Sequence, residues 1–308
     1  MKLKPSKTAT TVLALGSVLL LILSPAFGGE PGGKKIKIVT TVYPIMEFAR
    51  AVAGGRGEAS LLLPPGSEVH TWQPRAGDVL KLASCDLFIH VGLRLEPWVG
   101  DILRGLGRPR FRILELGRGL ESEAQKADTG RDGQDPHIWL DFGMDLDLVD
   151  RIGDALAEID PSGAALFAEN ARGYKAKIED LDRLFRESLA SCRQRTVILA
   201  GHAAFGRLLA RYGFEQVSLY GLSPDAEPTP ARMVEIVRLA KARNIRVVFS
   251  EVGEPAKLAA ALCREIGARM LPLNSGHNPS LEDLGRGRGF IDIMKDNLKS
   301  LLDGCQDR

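Results

Sequence analysis

The sequence predicts an α/β protein of two similar lobes, each with a mainly parallel four-stranded sheet, joined by a long rigid backbone helix. Three observations carry this. Short β-branched runs alternate with helical patterns, which implies a parallel sheet with helices on both faces. The alternation occurs twice along the chain, and between the two halves runs a helical periodicity too long to belong to either. A length of 308 residues suits two globular units.

Residues 1–28 stand outside that scheme. Lys2, Lys4 and Lys7 precede an apolar run over 12–23, and Pro25-Ala26-Phe27-Gly28 supplies the helix break and small residues that a signal peptidase reads. The expectation is a Sec signal peptide cleaved after Gly28. The uncharged stretch 8–29 is about long enough to span a bilayer, so an uncleaved anchor is the alternative. No cysteine precedes Cys85, which removes the lipid-attachment route and points to a free periplasmic protein.

In the first lobe, 29–145, strands are expected at 36–41, 60–63, 87–91 and 111–114, with helices near 45–52, 75–84 and 98–104. The helical connection spans 146–192. Its first helix covers about 144–158, and Asp160-Pro161 then opens a second, with Asp160 as N-cap and Pro161 at the first helical position. Leu166, Asn170, Tyr174, Ile178, Leu181, Phe185 and Leu189 recur every three or four residues among charged neighbours, and about thirty residues make a rod on the order of 45 Å long. The second lobe, 193–308, repeats the pattern with strands at 196–200, 216–219, 246–250 and 269–273, and helices near 205–212, 230–242, 257–266 and 290–302.

Composition narrows the function. Hydrophobic content of 44% with 26% charged residues is that of a globular protein rather than a disordered or multi-span one. A net charge of +2 gives no bulk field for nucleic acid, and removing the leader lysines leaves the remainder near −1. Cys85, Cys192, Cys263 and Cys305 have no metal-site spacing; in an oxidising compartment the expected bridge is Cys263 with Cys305, both in the last third, with buried free thiols as the alternative.

Five histidines occur. His90 lies inside an apolar strand and reads as a satisfied core residue. His70, His137 and His202 fall in loops or just past strand ends, where open α/β sheets bind ligands. Three neutral imidazoles with one further oxygen or nitrogen donor are the set that suits tetrahedral zinc. Trp72, Trp98 and Trp139 are expected to pack the interface or a lobe core, with Trp72 and Trp139, two residues from these histidines, placed to wall off solvent.

At these same residues the sequence resembles the metal receptors of ABC importers, the zinc- and manganese-specific solute-binding proteins of cluster 9, or cluster A-I. Four segments carry the likeness: Pro64-Pro65-Gly66-Ser67-Glu68-Val69-His70-Thr71-Trp72-Gln73-Pro74, Asp135-Pro136-His137-Ile138-Trp139-Leu140-Asp141, Gly201-His202-Ala203-Ala204-Phe205 and Gly221-Leu222-Ser223-Pro224-Asp225-Ala226-Glu227-Pro228. The tail from Phe290 to Leu298 is similar to the family's last helix, and the likeness spans about residues 36–304. It implies one metal held between the lobes by His70, His137 and His202. The third position commonly separates zinc receptors, which carry His, from manganese receptors, which carry Glu. Zinc(II) is therefore the expected transported ligand, with manganese the alternative. The resemblance also implies delivery to an ABC transporter permease by a monomeric protein.

Two departures from the family pattern matter. The usual Asp after the last core strand is replaced by Asn274, in Leu273-Asn274-Ser275-Gly276-His277, so the fourth donor is Asn274 or water, His277, or Glu251. The His-rich insertion common in zinc receptors is missing, since residues 121–134 contain no histidine, and secondary metal sites are not expected. Three histidines with an open fourth place also describe a zinc hydrolase, in which Glu251 would be the base. No His-Glu-x-x-His motif supports that reading.

Overall fold

The computed structural model describes Met1 and residues 34–120, 135–222 and 229–306; the remainder of the expected signal peptide, the 121–134 stretch and residues 223–228 lie outside the described residues. Strands β1 (Ile36–Thr40), β2 (Gly57–Leu61), β3 (Leu87–His90) and β4 (Arg112–Glu115) form one parallel sheet in the order β2-β1-β3-β4. Strands β5 (Thr196–Leu199), β6 (Glu215–Ser218), β7 (Val247–Glu251) and β8 (Arg269–Leu273) repeat it as β6-β5-β7-β8. The two sheets expected from the sequence are therefore present. β2 begins earlier than its β-branched content suggests. Gly57 pairs with Ile36 because a Cβ there would lie 2.6 Å from Ala53 Cβ, so only glycine lets the strand start beneath the preceding helix.

The helices are α1 (Tyr43–Ala53), α2 (Ala76–Ala83), α3 (Val99–Leu106), α4 (Phe142–Ile159), α5 (Ala164–Leu189), α6 (Gly206–Arg211), α7 (Pro230–Ala242), α8 (Lys257–Ile266), α9 (Leu281–Gly285) and α10 (Phe290–Gln306). Asp141 caps α4, its carboxylate accepting from the Gly143 and Met144 N–H groups. Asp160 takes the expected N-cap position with Pro161 first in the turn it opens, but its side chain makes no capping hydrogen bond. Its carboxylate accepts from the Arg56 guanidinium, a charge-assisted pairing, and from the Ser162 hydroxyl. Pro161–Gly163 forms a 3₁₀ turn, and the long helix is the 26-residue α5, about 39 Å at 1.5 Å per residue.

α5 is not a free-standing rod. Its buried face, including Phe167, Ile178, Leu181 and Phe185, packs on α4, and it also touches α1 and α10. Aromatic rings link these helices edge to face: Phe48 meets Phe290 at 5.4 Å, Phe290 meets Phe142 at 6.4 Å, and Phe142 meets Phe185 at 5.1 Å. One apolar core therefore runs from Ile38 and Phe88 in the first sheet, through these rings, to Leu199 and Phe249 in the second. A smaller core with Ile198, Val248, Ile236 and Leu262 lies on the other side of the second sheet. Because the first core is shared, Lys34–Arg308 is a single compact unit. Each fully buried Phe contributes about 1.5–3 kcal/mol, so wide separation of the sheets is opposed strongly. Among the described residues, no helix is long and apolar enough to cross a membrane.

The expected Cys263–Cys305 bridge is replaced by Cys192–Cys305, with Cα atoms 5.4 Å apart, while Cys85 and Cys263 are free thiols. Packing of α10 on α5 brings the end of the last helix to the residues just after the long one; Cys263 lies on α8, in the other core's shell. The bond closes a separation of 113 residues, for which loop-closure entropy gives on the order of 4–5 kcal/mol as an upper figure. Cys192→Ser is expected to lower stability by about 2–5 kcal/mol in urea unfolding, and reductant should do the same to the native chain. An unchanged midpoint in both would show that the pair is not bonded.

Candidate metal centre

The carboxyl ends of both sheets face a common cleft. His70 follows β2 through a turn at Gly66, where φ is +76°, and its backbone N–H donates to Glu68 Oε1 at 3.1 Å. His137 precedes a 3₁₀ turn, Ile138–Leu140. Both its backbone N–H and its Nδ1 reach Asp135 Oδ1, at 3.0 and 2.7 Å, which places the ring proton on Nδ1 and leaves Nε2 as a lone-pair donor. His202 comes three residues after β5. Its Nδ1 faces two carboxylates, Glu251 Oε2 at 2.8 Å and Glu254 Oε1 at 3.1 Å, so its Nε2 points away from them toward His137.

The structure brings His70, His137 and His202 together. Their nearest ring nitrogens all lie within 4.8 Å of one another, and the His137 and His202 Nε2 atoms are 3.3 Å apart. Two nitrogens sharing one tetrahedral zinc at about 2.05 Å each would be about 3.3 Å apart. All three rings are buried, His137 and His202 to within 1% exposure. His70 Nε2 is buried with no hydrogen-bond partner among the described residues, an orphaned acceptor that a cation would satisfy.

Electrostatics divide the cluster. Burial, reinforced by the neighbouring imidazoles, lowers the His70 pKa to about 2, so this ring stays neutral. Burial would also lower His202, but Glu251 and Glu254 outweigh it and raise its pKa to about 10. Burial likewise opposes ionisation of Asp135 and Glu251, yet hydrogen bonds and charge from His137 and His202 hold both carboxyls below their ordinary range. Softness of the donor set favours zinc over manganese, because three imidazoles converge where an oxygen-loving ion would want carboxylates.

The strand order explains why the centre forms here. In each sheet the order reverses at the first strand, and the crevice outside that switch point is the usual ligand site. In the second lobe His202 and Glu251 follow β5 and end β7, on either side of the switch. In the first lobe the same place is bridged by Glu96, buried, which accepts from Thr41 Oγ1 at 2.5 Å and from the Val91 and Gly92 N–H groups at 2.9 Å. Burial pushes Glu96 up to about 7 against those hydrogen bonds.

The three candidates for the fourth donor are placed differently. Asn274 is a turn residue: its Oδ1 accepts the Gly276 N–H at 2.8 Å, and its backbone is gripped at both N–H and C=O by Asn297. Glu251 lies against Nδ1 of His202, on the opposite side of that ring from Nε2. His277 bonds Ser275 Oγ at 2.7 Å through Nδ1, and its Nε2 lies 3.7 Å from Glu68 Oε2. Its charge interactions reach His202, His137 and Glu251, and burial lowers its pKa despite the two carboxylates, keeping it neutral.

Three supporting residues were not singled out from the sequence. Asp135 fixes His137 from two residues upstream, Glu254 backs His202, and Ser275 orients His277. Only the Asp-x-His spacing gave a local signal. Trp139 is fully buried beside His137, with ring centroids 5.4 Å apart, while Trp72 stacks edge-on against Trp98 at 4.7 Å. His90 is buried against Phe88, but its Nδ1 has no hydrogen-bond partner among the described residues, so it is a core histidine without the expected satisfaction. Burial lowers its pKa to about 4 and leaves the ring uncharged.

A family model described as "Zinc-uptake complex component A periplasmic" matches residues 38–304. The high-affinity zinc uptake system protein ZnuA of Bacillus subtilis (strain 168) is 33% identical over 281 residues, covering 88% of each chain. The zinc-binding lipoprotein AdcA of Streptococcus pneumoniae is 33% identical over 299 residues, 94% of this chain; the match spans only 60% of AdcA. The crystal structure of the Zn(II)-bound ZnuA-like domain of that AdcA superposes with a TM-score of 0.75 at 32% identity, covering 89% of this chain and 100% of that domain. The Treponema pallidum protein TroA shares the fold, with a TM-score of 0.80 at 24% identity over 89% of this chain and 100% of TroA. With a family match over nearly the whole described chain, the protein belongs to the ZnuA family of periplasmic zinc-uptake components.

Proposed function

We infer that the protein is a zinc receptor working outside the cytoplasm, which binds Zn(II) through His70, His137 and His202 and delivers it to an ABC-type import permease. The observation that carries this reading is the convergence of three buried imidazoles, with the Nε2 of His70 orphaned and those of His137 and His202 3.3 Å apart. His277 is the fourth ligand. Asn274 is committed to its turn and Glu251 to Nδ1 of His202, whereas His277, outside the tight cluster of the three, is a neutral imidazole near enough to feel the charges of His137 and His202. The leader is removed after Gly28, and the mature chain acts as a monomer.

Hydrolysis does not fit this geometry. An enzyme needs a base beside the metal-bound water. Glu251, the base such an enzyme would use, sits against Nδ1 of His202 rather than beside its Nε2, and Asp135 and Glu254 likewise back ring nitrogens turned away from the cluster.

Titration of residues 29–308 with Zn²⁺ and Mn²⁺ against a chromogenic chelator tests the reading. One tight zinc equivalent with manganese far weaker is the expected result. A stoichiometric preference for manganese, or no tight binding of either ion, would overturn it.

A further inference from the structure

The segment that carries His277 leaves the second sheet from β8, yet it is held chiefly by the first lobe. The Ser275 carbonyl accepts the Trp139 indole N–H at 2.8 Å, and the His277 carbonyl accepts the Tyr43 backbone N–H at 2.8 Å. The Asn278 side-chain amide donates to Pro64 O at 2.7 Å and Ser67 O at 2.8 Å, in the same loop that presents His70. From its own lobe the segment receives the Asn297 grip on Asn274, and Gly276 turns it at a φ of +70°. The carbonyls of 274, 275 and 277 are thus each claimed by a group distant in sequence.

We propose that Trp139 and Asn278 are positioning residues for the fourth ligand, fastening the Ser275–Asn278 segment to the loops of His137 and His70 so that the His277 backbone is fixed and only its side chain has to turn to the metal. Trp139 follows His137 by two residues, so one short segment supplies a ligand and holds the backbone that carries another. Asn278 does the same from the other side by stitching the His277 segment to the His70 loop. His70, His137 and His277 then form a frame referred to the first lobe, and His202, whose ring is backed by Glu251 and Glu254, comes from the second. This rests on the reading of His277 as a ligand.

The test uses the Co²⁺-loaded and Zn²⁺-loaded mature chain. Four variants are compared with the native protein: His277→Ala, Trp139→Phe, Asn278→Ala and the double variant Trp139→Phe/His277→Ala. Trp139→Phe keeps the ring and deletes only the N–H; Asn278→Ala changes a less buried residue and guards against misfolding of the first. Each positioning variant is expected to release zinc about tenfold faster, the lower range for loss of an outer partner of a metal ligand. Each should also shift the Co²⁺ d–d spectrum toward that of His277→Ala. Adding Trp139→Phe to His277→Ala should change neither quantity further, because the indole acts through that ligand. If His277→Ala itself leaves spectrum and release rate unchanged, the fourth-ligand reading fails. If His277→Ala alters both while Trp139→Phe and Asn278→Ala behave as the native chain, or if the double variant loses a further tenfold, the positioning proposal is overturned and the ligand assignment stands.

Discussion

His202→Ala is expected to weaken zinc binding by on the order of 10²–10³-fold. Structural zinc sites of four ligands bind with about 10–16 kcal/mol, so one ligand accounts for roughly 3 kcal/mol or more. The loss extends beyond one nitrogen. Glu251 is wholly buried and is held ionised by the His202 ring; without that partner it becomes an uncompensated buried carboxylate. The metal-free variant should therefore also be less stable, by about 3 kcal/mol, which urea unfolding would measure. The double variant His202→Ala/Glu251→Gln separates the two effects. It should recover much of the stability while leaving zinc affinity low. Chelator competition on both proteins checks the prediction, and native affinity in a folded His202→Ala chain would remove His202 from the centre.

The two parallel four-stranded sheets and the three converging histidines were legible because each depends on local pattern. β-branched runs mark strands, and residues placed just beyond their ends must open on the cleft once the sheet is parallel. The fourth donor was not legible for the opposite reason. Asn274 and His277 share one turn, and what each side chain is free to do is set by groups from far away: Asn297 and Trp139 fix the backbone, and Asn274 Oδ1 is spent on Gly276. The bridge was misassigned on similar grounds. Cys263 is nearer to Cys305 in sequence, but α10 packs along α5 and its end arrives at Cys192. Asp160 takes the N-cap position read from the sequence, but its partner Arg56, 104 residues earlier, was not legible.

Zinc affinity should rise about tenfold per pH unit from pH 6.5 to about 8.5, instead of levelling off above the ordinary histidine pKa of about 6.5. The cause is unequal protonation within the cluster. His70, at about 2, is neutral throughout and releases nothing, and His277 is held neutral by burial. His202, raised to about 10 by Glu251 and Glu254 against burial, is an imidazolium in the metal-free protein. Zinc needs its Nε2 lone pair, so each ion bound displaces a proton from that ring at any pH below about 10, while Nδ1 keeps its proton for the carboxylates. The same shift fixes the sign of the metal-free chain's stability. A pKa raised on folding stabilises fully below the unfolded value of about 6.5, and that contribution is lost as pH rises through about 10. Metal-free protein should thus lose stability over the interval in which zinc gains affinity. Calorimetric titration at about pH 7.5 in buffers of different ionisation enthalpy should count close to one proton released per zinc. Glu254→Gln, which removes one of the two charges that raise His202, should lower that count and flatten the profile. Affinity independent of pH over this range, with no proton released, would mean that His202 meets the metal already neutral and that the paired carboxylates orient the ring without charging it.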